Sequence, residues 1–173
     1  MKVVCISAKA QHGKDTAAQI LKDHLEQCGK RVLIIHYADL LKWLCTKFFG
    51  WDGKKDEAGR TILQHVGTDT IRKQDPDYWV NFVVQFLKMF SADWDFVLIP
   101  DCRFPNEAEN MIANFDTKVL RIYRPDFNNG LSAEQQSHPS ETAMDYYMFD
   151  SIICNDGSLD EFRQKLISFI STI

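Results

Sequence analysis

Nowhere in the chain does an apolar run approach the ~20 residues a helix needs to cross a bilayer. The apolar stretch at residues 2–6 is too short for the core of a signal peptide, so a cytoplasmic protein is expected. The five cysteines (5, 28, 45, 102 and 154) are odd in number, scattered and without a C-x-x-C pair, which argues for small buried thiols and against a disulfide framework. A basic excess is missing too: 20 Lys and Arg stand against 24 Asp and Glu, for a net charge of −4. No broad basic surface for a nucleic-acid polymer is implied, whereas a single nucleotide needs only a local cluster of cations. Repeats and low-complexity tracts are absent, and at 173 residues the chain is one domain of ordinary size. The most local absence lies between residues 125 and 162, which hold eight acids and no lysine or arginine.

What is present is organised around residues 2–28. An apolar, β-branched run ends at Ser7 and is followed by Ala8-Lys9-Ala10-Gln11-His12-Gly13-Lys14-Asp15-Thr16. Ala17, Ala18, Ile20, Leu21 and Leu25 then recur at helical spacing up to a C-capping Gly29. Strand, tight loop and helix is the setting of a phosphate-binding loop, where backbone N–H groups, a helix N-terminus and a lysine converge on one anion. Two positions depart from G-x-x-x-x-G-K-[ST]: Ala8 replaces the first glycine, and Asp15 takes the hydroxyl position, with Thr16 one residue later. Ala8 fits if its φ stays negative. Asp15 would repel phosphate unless a cation intervenes. An ordinary Gly-Lys turn opening a helix is the plainer alternative.

Further along, residues 31–36 read as a second strand, parallel to the first across the intervening helix. A helix follows to Phe49, with Asp39 as N-cap candidate and Gly50 ending it. Residues 50–59 read as a polar loop. The next helix, about 60–73, gathers Arg60, Gln64, Gly67 or Thr68, and Ile71 or Arg72 on one face, which suits either a nucleotide or solvent. Asp75 as N-cap and Pro76 at N1 start another helix, with Trp79, Val83, Phe86, Leu87 and Phe90 as its apolar stripe. Trp79 therefore reads as core before base-stacking platform. Residues 96–101 form a third strand ending in the carboxylate of Asp101, a Walker-B-like position for magnesium held through water. Pro105 opens a helix to about Asn114, residues 118–124 are strand four, and 125–148 read as a loop with a short helix. Residues 151–154 are strand five, and Ser158 with Glu161 forms a capping box for a last helix that buries Phe162, Leu166, Phe169 and Ile170. Strands alternating with helices define an α/β domain with a parallel sheet.

Several stretches in order carry a resemblance. They are Gly13-Lys14-Asp15-Thr16, Tyr37-Ala38-Asp39-Leu40-Leu41-Lys42, Gly59-Arg60-Thr61-Ile62-Leu63-Gln64, Gly67-Thr68-Asp69, Arg72 and Asp77-Tyr78-Trp79-Val80. They continue with Asp101-Cys102-Arg103-Phe104-Pro105-Asn106-Glu107, His138-Pro139-Ser140-Glu141 and Asn155-Asp156-Gly157. Together the set resembles the deoxynucleoside monophosphate kinases of tailed bacteriophages over nearly the whole chain. The order Gly-Lys-x-Thr is itself that of nucleoside monophosphate kinases rather than GTPases.

The resemblance implies a three-layer P-loop NTPase fold, a five-stranded parallel sheet of order 2-3-1-4-5 with helices on both faces. It implies a core of about 1–36 and 93–173, an acceptor-binding helical insertion at about 37–92 and a lid-like segment at about 125–148. The implied reaction moves the γ-phosphoryl of ATP to a deoxynucleoside monophosphate, with ATP and Mg²⁺ as cofactors and small nucleotides as the only partners. By position, Ala10, Gln11, His12, Gly13, Lys14, Asp15 and Thr16 would hold the ATP phosphates, and Asn155, Asp156 and Gly157 would border the adenine. Asp39, Lys42, Arg60, Gln64, Asp69, Arg72, Trp79 and Arg103 would serve the acceptor, with Arg60 and Arg72 on its phosphate and Gln64 on its base. Lys14, Asp101 and Arg103 are the catalytic candidates, and Thr16 and Asp101 the Mg²⁺ candidates, through water. Related kinases close an arginine-bearing lid. Here Arg103, Arg121 and Arg124, with His138 as a further candidate, must serve instead, although His138 also reads as a cap or core residue. A kinase of another small phosphorylated metabolite, such as phosphomevalonate, and a non-catalytic nucleotide-binding module remain open alternatives. So do the accepted bases and whether the chain forms a homodimer.

Overall fold

In a computed structural model the described residues are 1–54 and 56–173; Lys55, within the expected polar loop, lies outside them. In chain order the elements are β1 (Lys2–Ala8), α1 (Lys14–Gln27), β2 (Val32–Ile34), α2 (Ala38–Phe48), α3 (Glu57–Gln64), a π-helical stretch (His65–Arg72) and α4 (Tyr78–Met89). There follow β3 (Phe96–Ile99), α5 (Pro105–Asn114), β4 (Asp116–Tyr123), α6 (Ala133–Ser137), α7 (Pro139–Thr142), β5 (Ser151–Cys154) and α8 (Leu159–Ile170). The five strands are all parallel and lie in the order β2-β3-β1-β4-β5, as expected.

β1 is central, and Val3 through Ala8 are all buried, which is why its sequence is a continuous apolar run. Its alternate residues Val4, Ile6 and Ala8 join Ala17, Leu21 and Leu25 of α1 and Phe162, Leu166 and Ile170 of α8 in one apolar layer. From β1 the chain crosses toward one sheet edge to β2, and from β3 it crosses the other way to β4. Right-handed crossovers then put α1 and α5 on opposite faces. The reversal opens a crevice beyond the C-terminal end of β1, the usual ligand position in such sheets.

The chain divides into two compact units: residues 1–35 with 90–173, which hold the sheet, and residues 36–89, which hold α2 to α4. The second has its own small core of Cys45, Trp51 and Val66, flanked by Leu41, Ile62, Leu63 and Ile71.

Local departures from the sequence expectation have physical causes. The helix expected from residue 60 starts at Glu57, because Asp56 accepts a bond from the Gly59 N–H at 2.9 Å. Trp51, expected in a polar loop, is buried and donates its indole N–H to the Lys54 carbonyl at 2.7 Å. Beyond Gln64 the helix widens to i→i+5 closure, so a 3.6-residue face drawn through Arg60 and Gln64 does not continue unchanged to Arg72. Asp39 lies in the first turn of α2 rather than before it, and accepts from the His36 N–H at 2.9 Å. Asp75 accepts from the Asp77 N–H at 3.0 Å, and the turn so formed delays α4 to Tyr78. β3 stops at Ile99, before Pro100, which lacks an N–H for the ladder, so Asp101 sits in the turn beyond the strand. The segment expected to hold one short helix holds two, with Pro139 beginning the second.

Gly59 shows how tightly this second unit is built. A Cβ there would lie 2.1 Å from the Lys54 carbonyl oxygen and 2.7 Å from Trp51 Nε1. Gly59→Ala should therefore destabilise the protein by about 1–3 kcal/mol, a fall in Tm of about 2–10 °C. An unchanged melting temperature would show that Trp51 and Lys54 are not packed against Gly59 of α3 in this way.

Candidate active site

The phosphate loop begins where β1 ends, with Ala8 registered against Ile122 of β4. Among the described residues only Gln11 (φ 62°) and Asp126 (φ 50°) are non-glycines with positive φ, so Ala8 replaces the first glycine without strain. Gly13 does require glycine: its φ is 100°, and a Cβ would sit 2.8 Å from Asn155 Nδ2. α1 starts at once, with the Ala17 N–H donating to the Gly13 carbonyl at 2.8 Å. α1 thus begins directly behind Gly13, which makes no side-chain cap bond, and a helix N-terminus of this kind suits an anion. Lys14 Nζ lies 3.2 Å from the Asp15 carboxylate, which supplies the cation this acid needs beside a phosphate site.

Three side-chain contacts tie the loop to the C-terminal part of the chain. Asn155, at the end of β5, donates to the His12 carbonyl at 3.1 Å. The buried His12 ring accepts the Arg124 N–H on Nδ1 at 3.1 Å, so its proton resides on Nε2. Its ring meets Phe127 edge-on, and the Arg124 guanidinium stacks on the same phenyl, 4.0 Å from its centroid. Burial, then the charges of Arg121 and Lys9, hold the His12 pKa below its ordinary value. The third is Glu141, which accepts the Ala10 N–H at 2.9 Å.

The cations beside the loop are held by acids. Arg121, next to Ser7 across the β1–β4 ladder, donates to Ser7 Oγ at 2.8 Å and pairs with Asp145 at 3.2 Å. Asp145 also pairs with Lys9 at 3.1 Å. Arg103 Nη1 bonds Glu141 Oε1 at 2.5 Å and the Ser140 carbonyl at 3.1 Å. The buried Glu107 accepts the backbone N–H groups of Arg103 and Phe104 at 2.7 and 3.1 Å, which fixes the turn from which Arg103 projects. Half-buried Asp101 follows β3, and the Cys5–Ile99 register sets the ends of β1 and β3 side by side. Among the described residues no three His, Cys, Asp or Glu side chains converge as a metal cage. Mg²⁺ in phosphoryl-transfer sites needs only one or two carboxylates besides phosphate and water, so Asp101 with Thr16 fits it.

Of the residues expected at the adenine, Asn155 holds the loop, whereas Asp156 pairs with Lys165 at 2.8 Å on α8. His138 caps α7, its Nδ1 accepting the Ser140 N–H at 3.2 Å. In the second unit Arg60, Gln64 and Asp69 are exposed and Arg72 is half-buried. Asp39 is bonded to Lys42 at 3.0 Å and to His36; burial pushes its carboxyl up, but these bonds outweigh it and hold the pKa well below the usual range. Trp79 is buried, with its indole N–H donating to the Gly67 carbonyl at 3.1 Å, so it supports this unit from within. Sequence reasoning gave no role to Glu141, Asp145 or Lys9. Glu141 stood in the His-Pro-Ser-Glu stretch, but its partner Ala10 lies 131 residues away and leaves no local pattern.

A parallel sheet of this order with a Gly-Lys loop between β1 and α1 is the fold of the P-loop kinases. The chain is similar to a shikimate kinase from Bacteroides thetaiotaomicron, with a TM-score of 0.58 and 12% identity over 99% of this chain and 98% of that one. The sequence model of the deoxynucleotide monophosphate kinase family matches residues 35–166, and the chain belongs to that family. It is 31% identical to the deoxynucleotide monophosphate kinase of Enterobacteria phage T4 over 62% of this chain and 43% of that protein. It is likewise 31% identical to the uncharacterized protein ORF77 of Ictalurid herpesvirus 1, over 79% of this chain and 58% of that protein. The chain thus spans about half the length of the curated relatives it matches.

His12 gives the site a pH signature. Its folded pKa lies below the ordinary 6.5, so the unfolded chain binds the proton more readily than the folded one. Stability from this group is complete above about 6.5 and is lost as pH falls through the folded value. His12→Asn, which can keep an acceptor near Nδ1, should remove that component. If the wild-type and variant melting temperatures fall in parallel below pH 6.5, His12 is not held neutral by this loop.

Proposed function

We propose that the protein transfers the γ-phosphoryl of ATP to a deoxynucleoside monophosphate, giving the diphosphate. The observation that carries this is the cradle between β1 and α1: Gly13 in a conformation only glycine takes readily, a helix N-terminus without a side-chain cap, and Lys14 beside it. Family membership supports the acceptor class.

In this scheme Ala10 to Thr16 hold the ATP phosphates. Lys14 and the amides oppose the negative charge on the phosphoryl oxygens, and Arg103 takes charge on the group in flight. Mg²⁺, when bound, would supply positive charge against that developing on the phosphates. Asp101 and Thr16 are the residues that would hold it. No general base is required, because the acceptor is already an anion and positioning with charge stabilisation does most of the work. Asn155 and its neighbours border the adenine. Arg124 and His138 serve near the loop, Arg124 through its stack on Phe127 and His138 through the cap that seats Glu141. In the second unit, Arg60 and Arg72 meet the acceptor phosphate and Gln64 its base. Asp39, Lys42, Asp69 and Trp79 shape and support that face. No helix among the described residues is long and apolar enough to cross a membrane.

Lys14→Ala should lower kcat about 100-fold or more while leaving the melting temperature near that of wild type. A folded variant with wild-type turnover would remove Lys14 from the reaction.

Arg60→Ala should raise KM for every deoxynucleoside monophosphate and leave that for ATP nearly unchanged, because all acceptors share the phosphate. Gln64→Ala should instead reorder the acceptors, since a hydrogen-bonding site discriminates through its own groups left unpaired. Wild-type kinetics in both variants would mean that this face is plain surface.

A further inference from the structure

Residues 125–148 bring no cation to the site, yet two of their acids reach its cations. We propose that Glu141 is a positioning residue whose one carboxylate fixes both the phosphate loop and the Arg103 guanidinium, so that this segment serves phosphoryl transfer by orienting core cations. The proposal deepens the kinase assignment above and rests on it.

Glu141 Oε2 accepts the Ala10 N–H at 2.9 Å while Oε1 receives Arg103 Nη1 at 2.5 Å. Its side chain is only 8% exposed, so the charge is shielded from water and the pairing is strong. The geometry is set from behind. Pro139 starts α7, His138 caps it, and the Ser140 carbonyl accepts a second bond from the same Arg103 nitrogen at 3.1 Å. Both bonds from Arg103 use Nη1, and a guanidinium has five N–H donors. Nε and Nη2 make no protein bond among the described residues and retain the planar edge suited to a phosphoryl group. Asp145 repeats the pattern, joining Lys9 of the loop to Arg121 of β4. A carboxylate between two donors fixes their separation, and misplacing a catalytic group by about 1 Å can cost about 100-fold in rate.

The test is a double-mutant cycle in the full chain. Glu141→Gln has one acceptor oxygen where the carboxylate has two, so it cannot serve both the Ala10 amide and Arg103. It should fold and lose about 100-fold in kcat. In an Arg103→Lys background the same change should cost much less than in the wild type, because the share that runs through the guanidinium is already lost and only the Ala10 contact remains. A full additional loss in that background, or an unchanged kcat in the single variant, overturns the proposal. If Glu141→Gln does not fold, Glu141→Asp replaces it, with the same non-additivity expected and additivity again decisive.

Should the wild-type protein phosphorylate no deoxynucleoside monophosphate, the proposed function fails and kcat no longer decides. The ¹⁵N-detected exchange of the Arg103 side-chain N–H groups then does. Fast exchange in Glu141→Gln with Arg121 unaffected supports the positioning role, and unchanged exchange at Arg103 overturns it.

Discussion

The site depends on one backbone constraint, the left-handed conformation of Gly13 at the turn from β1 into α1. That residue turns the chain so that a helix N-terminus opens directly onto the end of the central strand. Asn155 packs so close to it that a methyl group would not fit, and its amide holds the His12 carbonyl. The neutral His12 ring and the Glu141 carboxylate secure the rest of the loop. Each of these three holds comes from the C-terminal part of the chain, so the strand order that puts β4 beside β1 and β5 beside β4 also fixes the phosphate loop.

The electrostatics follow from that arrangement. Around the loop proposed to hold ATP, Lys9, Lys14, Arg103 and Arg121 are each held by a carboxylate. Two of those acids, Glu141 and Asp145, belong to the segment without lysine or arginine. Its composition, odd for a lid that must close on phosphates, makes sense if its task is to aim cations carried by the sheet. Asp15, the other unexpected acid, holds Lys14 in the same way.

Much of the fold was legible because its signals are local. The apolar run of β1, the helical spacing after Gly13 and the Ser158–Glu161 capping box each lie within a few residues, and all are where the sequence places them. The strand order came from family resemblance and not from periodicity. Legibility failed where tertiary contacts override local pattern. Trp51 sits among polar residues and is buried all the same, because it packs with Cys45 and Val66. The widening after Gln64 alters a face that 3.6-residue spacing would draw straight. Trp79, which the sequence could set in core or against a base, gives its N–H to Gly67 within its own unit. Glu141 lies in the His-Pro-Ser-Glu stretch, but its contact with Ala10 across 131 residues leaves no trace in spacing.

Phosphoryl transfer from ATP to a deoxynucleoside monophosphate, the reaction proposed for this loop, can be followed by incubating the purified chain with γ-labelled ATP, Mg²⁺ and each of the four deoxynucleoside monophosphates in turn. Label should appear in a deoxynucleoside diphosphate with at least one acceptor, in proportion to ADP formed. Label released only as inorganic phosphate, or retained entirely in ATP with all four acceptors, would contradict it.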